Sequence, residues 1–179
     1  AFAALGSGAA LAVSGLLMQT LFQNPLAGPF VLGLNSGASL GAALLIMLPF
    51  ASALQPLAGE FSTAAAAITG ASVVTAGVLA LSRRLKSGAS LLIIGLMIGY
   101  LAGAVLSVLS YFSSAEQLRT FIFWSYGTFT SITWTKALVL LPLCVLCVAF
   151  AFLLSKPLNQ LLLGENYARS LGQDTARVR

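Results

Sequence analysis

Long apolar stretches, cut by short clusters of proline, glycine and charge, set the pattern of this chain. No Asp, Glu, Lys or Arg occurs before Glu60. A helix needs about 20 apolar residues to cross the hydrocarbon core of a bilayer, so the stretch before Glu60 has room for two crossings. Asn24-Pro25 and Gly28-Pro29 divide it. Proline cannot continue a helix, and it pushes the residue before it out of helical geometry. The pattern therefore predicts spans over 2–22 and 33–48, the second short and glycine-rich, with Pro49 and Pro56 marking a loop around Glu60. Three further spans are expected over 63–81, 89–112 and 136–155, and Pro142 should kink the last.

Lys and Arg in short loops set the orientation of such spans. Arg83, Arg84 and Lys86 follow the third span with no acid among them, and Lys156, Arg169, Arg177 and Arg179 follow the fifth. Those two regions are expected on the cytoplasmic side, and counting back puts the Asn24-Pro25 turn there too. The fold class expected is all-α: a polytopic transmembrane bundle of about five spans over residues 1–155, then a cytoplasmic segment over 156–179. The same count starts the chain outside, directly in a helix, from which a further span upstream is expected.

Two features inside the membrane region invite a specific role. The fourth span carries Gly95, Gly99, Gly103 and Ser107 at intervals of four, and the second carries Gly33, Gly37 and Gly41. Residues four apart share a helix face, and a face without side chains lets another helix come close, the main adhesive in lipid. The alternative is that the stripe lines a path with room for a substrate. The segment 121–134, FIFWSYGTFTSITW, holds both tryptophans of the chain. It reads as an aromatic belt at the outer interface or as a rim that meets a delivering partner.

Composition narrows the function. Of the 179 residues, 59% are hydrophobic and 7% charged, against about 25% charged in soluble domains, which excludes a soluble enzyme. The nine Lys and Arg are too scattered to track a phosphate backbone, so no nucleic-acid partner is expected. There is no His, and Cys144 and Cys147 lie in an apolar run without a second ligand pair, so they read as packing residues and no metal or cofactor is expected. No ionisable side chain falls in the middle of a span, where gradient-driven transporters usually keep one. No nucleophile–base pair and no phosphate-binding loop occurs. The chain is not expected to be an enzyme, and energy, where its role uses any, is expected from outside it; a non-transporting membrane scaffold stays open at this point.

In the tail, Gly164 and Gly172 bracket a short helix expected over 165–171. Glu165 falls in its first turn and Arg169 in its last, which suits the helix dipole. They also form an i,i+4 pair worth about 0.3 kcal/mol. Gly172 can take the left-handed position that ends a helix. A compact helix of this kind, fixed to the end of a span, is a knob on which a cytoplasmic partner can push.

Three segments, in this order, carry a resemblance: GAALAVSGLLMQTLFQNPLAGPFVLGLNSGASLGA, FIFWSYGTFTSITW and LNQLLLGENYARSLG. They are similar to segments of the FecCD-type permeases, the membrane subunits of ABC importers for iron–siderophore complexes, haem and cobalamin. The resemblance covers essentially the whole chain, in the order of spans two to six plus the coupling loop of that family. It implies a multi-pass protein of the bacterial plasma membrane, paired with a second permease subunit, in the simplest arrangement a homodimer. It further implies two ATP-binding cassette subunits beneath and a periplasmic or lipid-anchored substrate-binding protein above. By position, Asn24 falls at a cytoplasmic constriction, with Ser87, Gly88 and Ser90 facing it; Gly88 stands where some relatives have a hydroxyl. Contact with the ATPase falls on Leu163, Gly164, Glu165, Ala168, Arg169, Leu171 and Gly172. A secondary transporter driven by an ion gradient is the alternative.

Overall fold

The structure, a computed structural model, describes residues 1–48, 61–82, 88–130, 132–162, 164, 167, 170 and 172. Its helices are α1 (Phe2–Phe22), α2 (Leu34–Met47), α3 (Ser62–Ser82), α4 (Gly88–Phe112), α5 (Ala115–Tyr126), α6 (Trp134–Leu153) and α7 (Ser155–Leu162), and a 3-10 turn over Pro29–Leu32 precedes α2. No strand occurs among the described residues. Four helices, α1, α3, α4 and α6, are long and apolar enough to cross a membrane. Their surfaces carry large apolar side chains outward, such as Tyr100 at 72% and Phe152 at 79% exposure. This is the surface of a multi-pass membrane protein, whose apolar faces are covered by lipid and by other protein segments rather than by water.

The expected second span, over 33–48, is α2 but for one residue at each end, and it is short as expected. At 14 residues, α2 rises about 21 Å, short of the roughly 30 Å core. The break lies at Gly33, whose φ of 74° is left-handed and open to glycine without strain. The backbone recovers its hydrogen bonds on either side: Gly33 N–H donates to the Phe30 carbonyl at 3.1 Å, and Gly37 N–H to the Gly33 carbonyl at 2.9 Å. A crossing here therefore includes the 3-10 turn. Non-helical backbone is tolerated at such depth where protein covers it, and Gly33 is buried.

The chain forms two compact units. One comprises residues 30–128, with α2 as its central post. Ala42 and Ala43 are fully buried, and Ala43, Ile46 and Met47 pack around Phe121 of α5, with Leu106, Leu109, Leu118 and Trp124 at the margin. Helix α5 runs into the aromatic segment that was read only as a belt or rim, sharing residues 121–126 with it, and it has a local cause. Ser114 Oγ accepts the Gln117 N–H at 3.3 Å, and the Gln117 side-chain oxygen accepts the Ser114 N–H at 3.0 Å. Each satisfies a donor that the helix start leaves unpaired. Ser114→Ala should therefore weaken the first turn of α5 by about 1 kcal/mol, read as faster hydrogen exchange at the Gln117 amide.

The other unit comprises residues 1–29 and 129–179. In it α1 and α6 run in the same direction. Ala1–Ala3 lie beside Phe129, Thr133 and Ala137 at one end, Gly6 faces Leu141 and Cys144, and Gln19–Pro25 lie beside Leu162 and Gly164 at the other end. A parallel course is what the charge-based count of spans requires for its first and fifth members. Pro142 sits inside α6, and α6 begins under the Thr133 hydroxyl, which accepts the Lys136 N–H at 3.4 Å. Helix α7 follows after Leu154 alone. Its Pro157 falls in the first turn, where a missing N–H removes no helical bond, and Leu161 turns inward at 4% exposure.

Candidate functional site

The turn that ends α1 is built by three amides in sequence. Gln23 has φ 47° and ψ 38°, the only positive φ outside glycine among the described residues. Its N–H donates to the Thr20 carbonyl at 3.3 Å, and the Asn24 N–H reaches back to the Gln19 carbonyl at 3.1 Å. That pair of bonds is a Schellman closure, in which the left-handed position usually belongs to glycine. Asn24 Oδ1 then accepts the Leu26 N–H at 2.9 Å, an Asx turn. The Asn24 carbonyl accepts the Ala27 N–H at 3.0 Å, and the Gln19 side-chain amide donates to the Pro25 carbonyl at 3.1 Å. The turn is therefore rigid for reasons readable in QTLFQNPLAGP once its partners are known.

Beside this turn opens a groove of about 500 Å³ lined by Leu16, Gln19, Thr20, Gln23, Asn24, Pro25, Leu162 and Gly164. Among the described residues its lining holds apolar side chains, amides and a hydroxyl but no charge. Gln23, one of the lining residues, donates through Nε2 to the Leu161 carbonyl at 2.8 Å. The structure thus brings Asn24 and Gly164, from the expected gate and the expected coupling segment, to one groove, and adds Gln23, which the sequence reading passed over. The signal was available: a bulky amide at a helix end where glycine is usual, directly before Asn-Pro.

Of the coupling residues, Gly164 has φ 103° and Gly172 φ 81°, so both bracketing glycines take conformations that side chains disfavour. Tyr167 and Ser170 between them have helical backbone, and the Ser170 hydroxyl donates to the Tyr167 carbonyl at 2.8 Å. Leu163, Glu165, Ala168, Arg169 and Leu171 lie outside the described residues, as does Ser87 of the gate. Gly88 is the first residue of α4 and Ser90 lies in its first turn, half-buried. They belong to the unit of residues 30–128, and Asn24 to the other.

The glycine stripes meet more selectively than their spacing suggests. A Cβ on Gly33 would stand 3.0 Å from the Gly95 carbonyl and 3.8 Å from the Gly99 nitrogen, and one on Gly99 3.2 Å from Ser36 Oγ. The tightest approach is to α3: a Cβ on Gly37 would stand 2.8 Å from the Gly70 carbonyl, and one on Gly41 would overlap the Ala66 carbonyl. Gly70, in the third expected span, is the partner the spacing did not reveal. Among the described residues nothing lies within 4 Å of that position at Gly103, so it takes no part in this contact.

At the aromatic segment, Phe121 and Trp124 stack with centroids 6.0 Å apart, and the Arg119 guanidinium lies 5.5 Å from the centre of the Phe123 ring. Tyr126, Phe129 and Trp134 stay exposed. Cys144 is buried and Cys147 exposed, both as free thiols. Among the described residues no three His, Cys, Asp or Glu side chains converge as a metal site would require.

The sequence profile of the FecCD transport family matches residues 1–179. The hemin transport system permease protein HmuU of Yersinia pestis is 40% identical over 177 residues, covering 96% of this chain and 51% of the relative. The vitamin B12 import system permease protein BtuC of Escherichia coli K12 is 36% identical over 165 residues, covering 92% and 49%. Among solved structures, a metal-chelate type ABC transporter in an inward-facing conformation superposes with a TM-score of 0.86 at 32% identity, over 99% of this chain and 55% of that one. The chain spans about half the length of the relatives it matches.

Proposed function

The chain belongs to the FecCD transport family, and from that premise we propose that it is the gate-and-coupling part of a permease that imports a metal chelate, an iron–siderophore complex, haem or cobalamin, through the bacterial plasma membrane. Two such permeases form the path. Two separate ATP-binding cassette subunits drive it from the cytoplasmic side, and a binding protein delivers cargo at the aromatic side. The observation that supports this most is the order of the three family-like segments along one chain. The first contains the amide-built turn after α1, the second the C-terminal half of α5 and the exposed aromatics that follow it, and the third runs through the end of α7 to the paired positive-φ glycines.

In this reading α6 and α7 carry the push of the ATPase. The segment 165–171 seats in the ATPase, with Glu165 and Arg169 fixing its orientation and Gly164 and Gly172 setting its direction. Force on it reaches α7, and through α7 the turn at Asn24 that constricts the path. The test is reconstitution of the full-length permease with its ATPase in liposomes, offering haemin and vitamin B12 as cargo. Uptake should require ATP and ignore sodium and proton gradients; uptake that follows a gradient without ATP overturns the proposal. In the same complex, Glu165→Ala with Arg169→Ala should lower recovery of the ATPase by about tenfold or more, the factor that a loss of about 1.4 kcal/mol produces.

A further inference from the structure

The bond from Gln23 to Leu161 joins two segments 138 residues apart in sequence. One is the turn that holds Asn24, the other the last turn of α7, three residues before Gly164. Three observations set it apart from an incidental contact. First, Gln23 occupies the left-handed position of a Schellman closure, where glycine is favoured and a bulky side chain is strained. A non-glycine residue persists there when its surroundings determine it. Second, its acceptor belongs to a buried residue, Leu161 at 4% exposure. Carbonyls in the last turn of a helix have no intrahelical partner. The Leu161 carbonyl takes the Gly164 N–H at 3.0 Å locally and the Gln23 amide with its other lone pair. Third, the bond lies beside a groove of about 500 Å³ that Gln23 and Asn24 line together with Leu162 and Gly164, so it joins the two walls at the place where gate and coupling segment meet.

We propose that Gln23 is a positioning residue that ties the Asn24-Pro25 turn to α7, so that the two move as one piece when the coupling segment moves. The inference rests on the importer reading, because it assigns Gln23 a part in transmitting motion to that gate. The tie works by geometry: the left-handed backbone aims the side chain, and the amide reaches a carbonyl that helical bonding leaves open. It predicts a clean separation of backbone and side-chain effects. Gln23→Gly keeps the left-handed turn, with less strain, and removes only the tie. Gln23→Arg keeps a donor of comparable reach.

The experiment places spin labels at Leu26 and Leu162, both exposed, on the full-length permease with Cys144→Ala and Cys147→Ala, assembled with its ATPase. Distances are read without nucleotide and with ATP plus vanadate. The tied protein should give one narrow distance distribution, the same in both states. Gln23→Gly should broaden it without nucleotide and shift it with ATP, and Gln23→Arg should restore the narrow form. Cargo moved per ATP hydrolysed, read with haemin and vitamin B12, should fall about fivefold in Gln23→Gly, the order expected when one neutral hydrogen bond no longer biases a two-state equilibrium. Identical distributions in the parent and Gln23→Gly, or a parent distance that itself changes with ATP, overturn the tie. Failure of any ATPase to assemble with the parent overturns the importer reading instead, and the nucleotide-free widths still decide whether the tie exists.

Discussion

Gly41→Leu should prevent the full-length permease from folding into a stable, monodisperse particle in detergent, whereas Gly103→Leu should leave it unchanged. Both glycines sit on helices with the same four-residue spacing of small residues, so the pattern alone gives them equal standing. The structure separates them. A Cβ at Gly41 would overlap the Ala66 carbonyl and stand 3.1 Å from the Gly70 α-carbon, whereas one at Gly103 meets no described residue within 4 Å. Backbone cannot rotate aside as a side chain can, so α2 and α3 would have to part. Parting forfeits the dispersion contacts that hold helices together where lipid is as apolar as the protein, and overpacking of lesser severity already costs about 1–3 kcal/mol. The loss also propagates, because α2 carries Ala43, Ile46 and Met47 against Phe121. The measurement is the melting temperature and elution profile of each variant. An unaltered Gly41→Leu would mean that α2 and α3 do not meet at Gly37, Gly41 and Gly70.

That contrast also shows what the sequence holds and what it withholds. The expected spans 2–22, 63–81, 89–112 and 136–155 lie within about two residues of α1, α3, α4 and α6, because bilayer thickness sets a length that composition reveals directly. The second span was legible as short and glycine-rich, but the left-handed turn at Gly33 was not, since a glycine serves a close contact and a positive φ equally well. Helix α5 was legible in principle: Ser114 and Gln117 have the capping-box spacing, but the aromatic residues after them suggested an interface before they suggested a helix. Partner choice was not legible. Gly37 and Gly41 announce that something comes close, but nothing local names Gly70 rather than Gly99. The same holds at the site. Gly164 and Gly172 could be marked from punctuation alone, but Gln23 acquires its meaning from Leu161, which no pattern near residue 23 encodes.

Gly164→Val should abolish most ATP-driven transport while the permease still folds. With φ at 103°, this backbone lies where a side chain costs about 1–3 kcal/mol, and a β-branched residue is the least suited to it. Among the described residues nothing lies within 4 Å of the position a Cβ would take, so the substitution acts through the dihedral and not through a clash with the packed helices. The chain would relieve the strain by turning differently after Leu162. Every residue beyond would then leave α7 in a new direction, including Glu165 and Arg169, whose task in the proposed mechanism is to meet the ATPase in one orientation. Transport should fall about tenfold or more, since about 1.4 kcal/mol of misdirected backbone shifts a two-state population by that factor. Gly8→Val is the control: its Cβ position is also open and its backbone is that of an ordinary helix. The decisive reading is uptake per ATPase complex recovered, for both variants beside the parent. Parental uptake by Gly164→Val would mean that the direction in which the chain leaves α7 does not matter, and that the push from the ATPase enters the permease elsewhere.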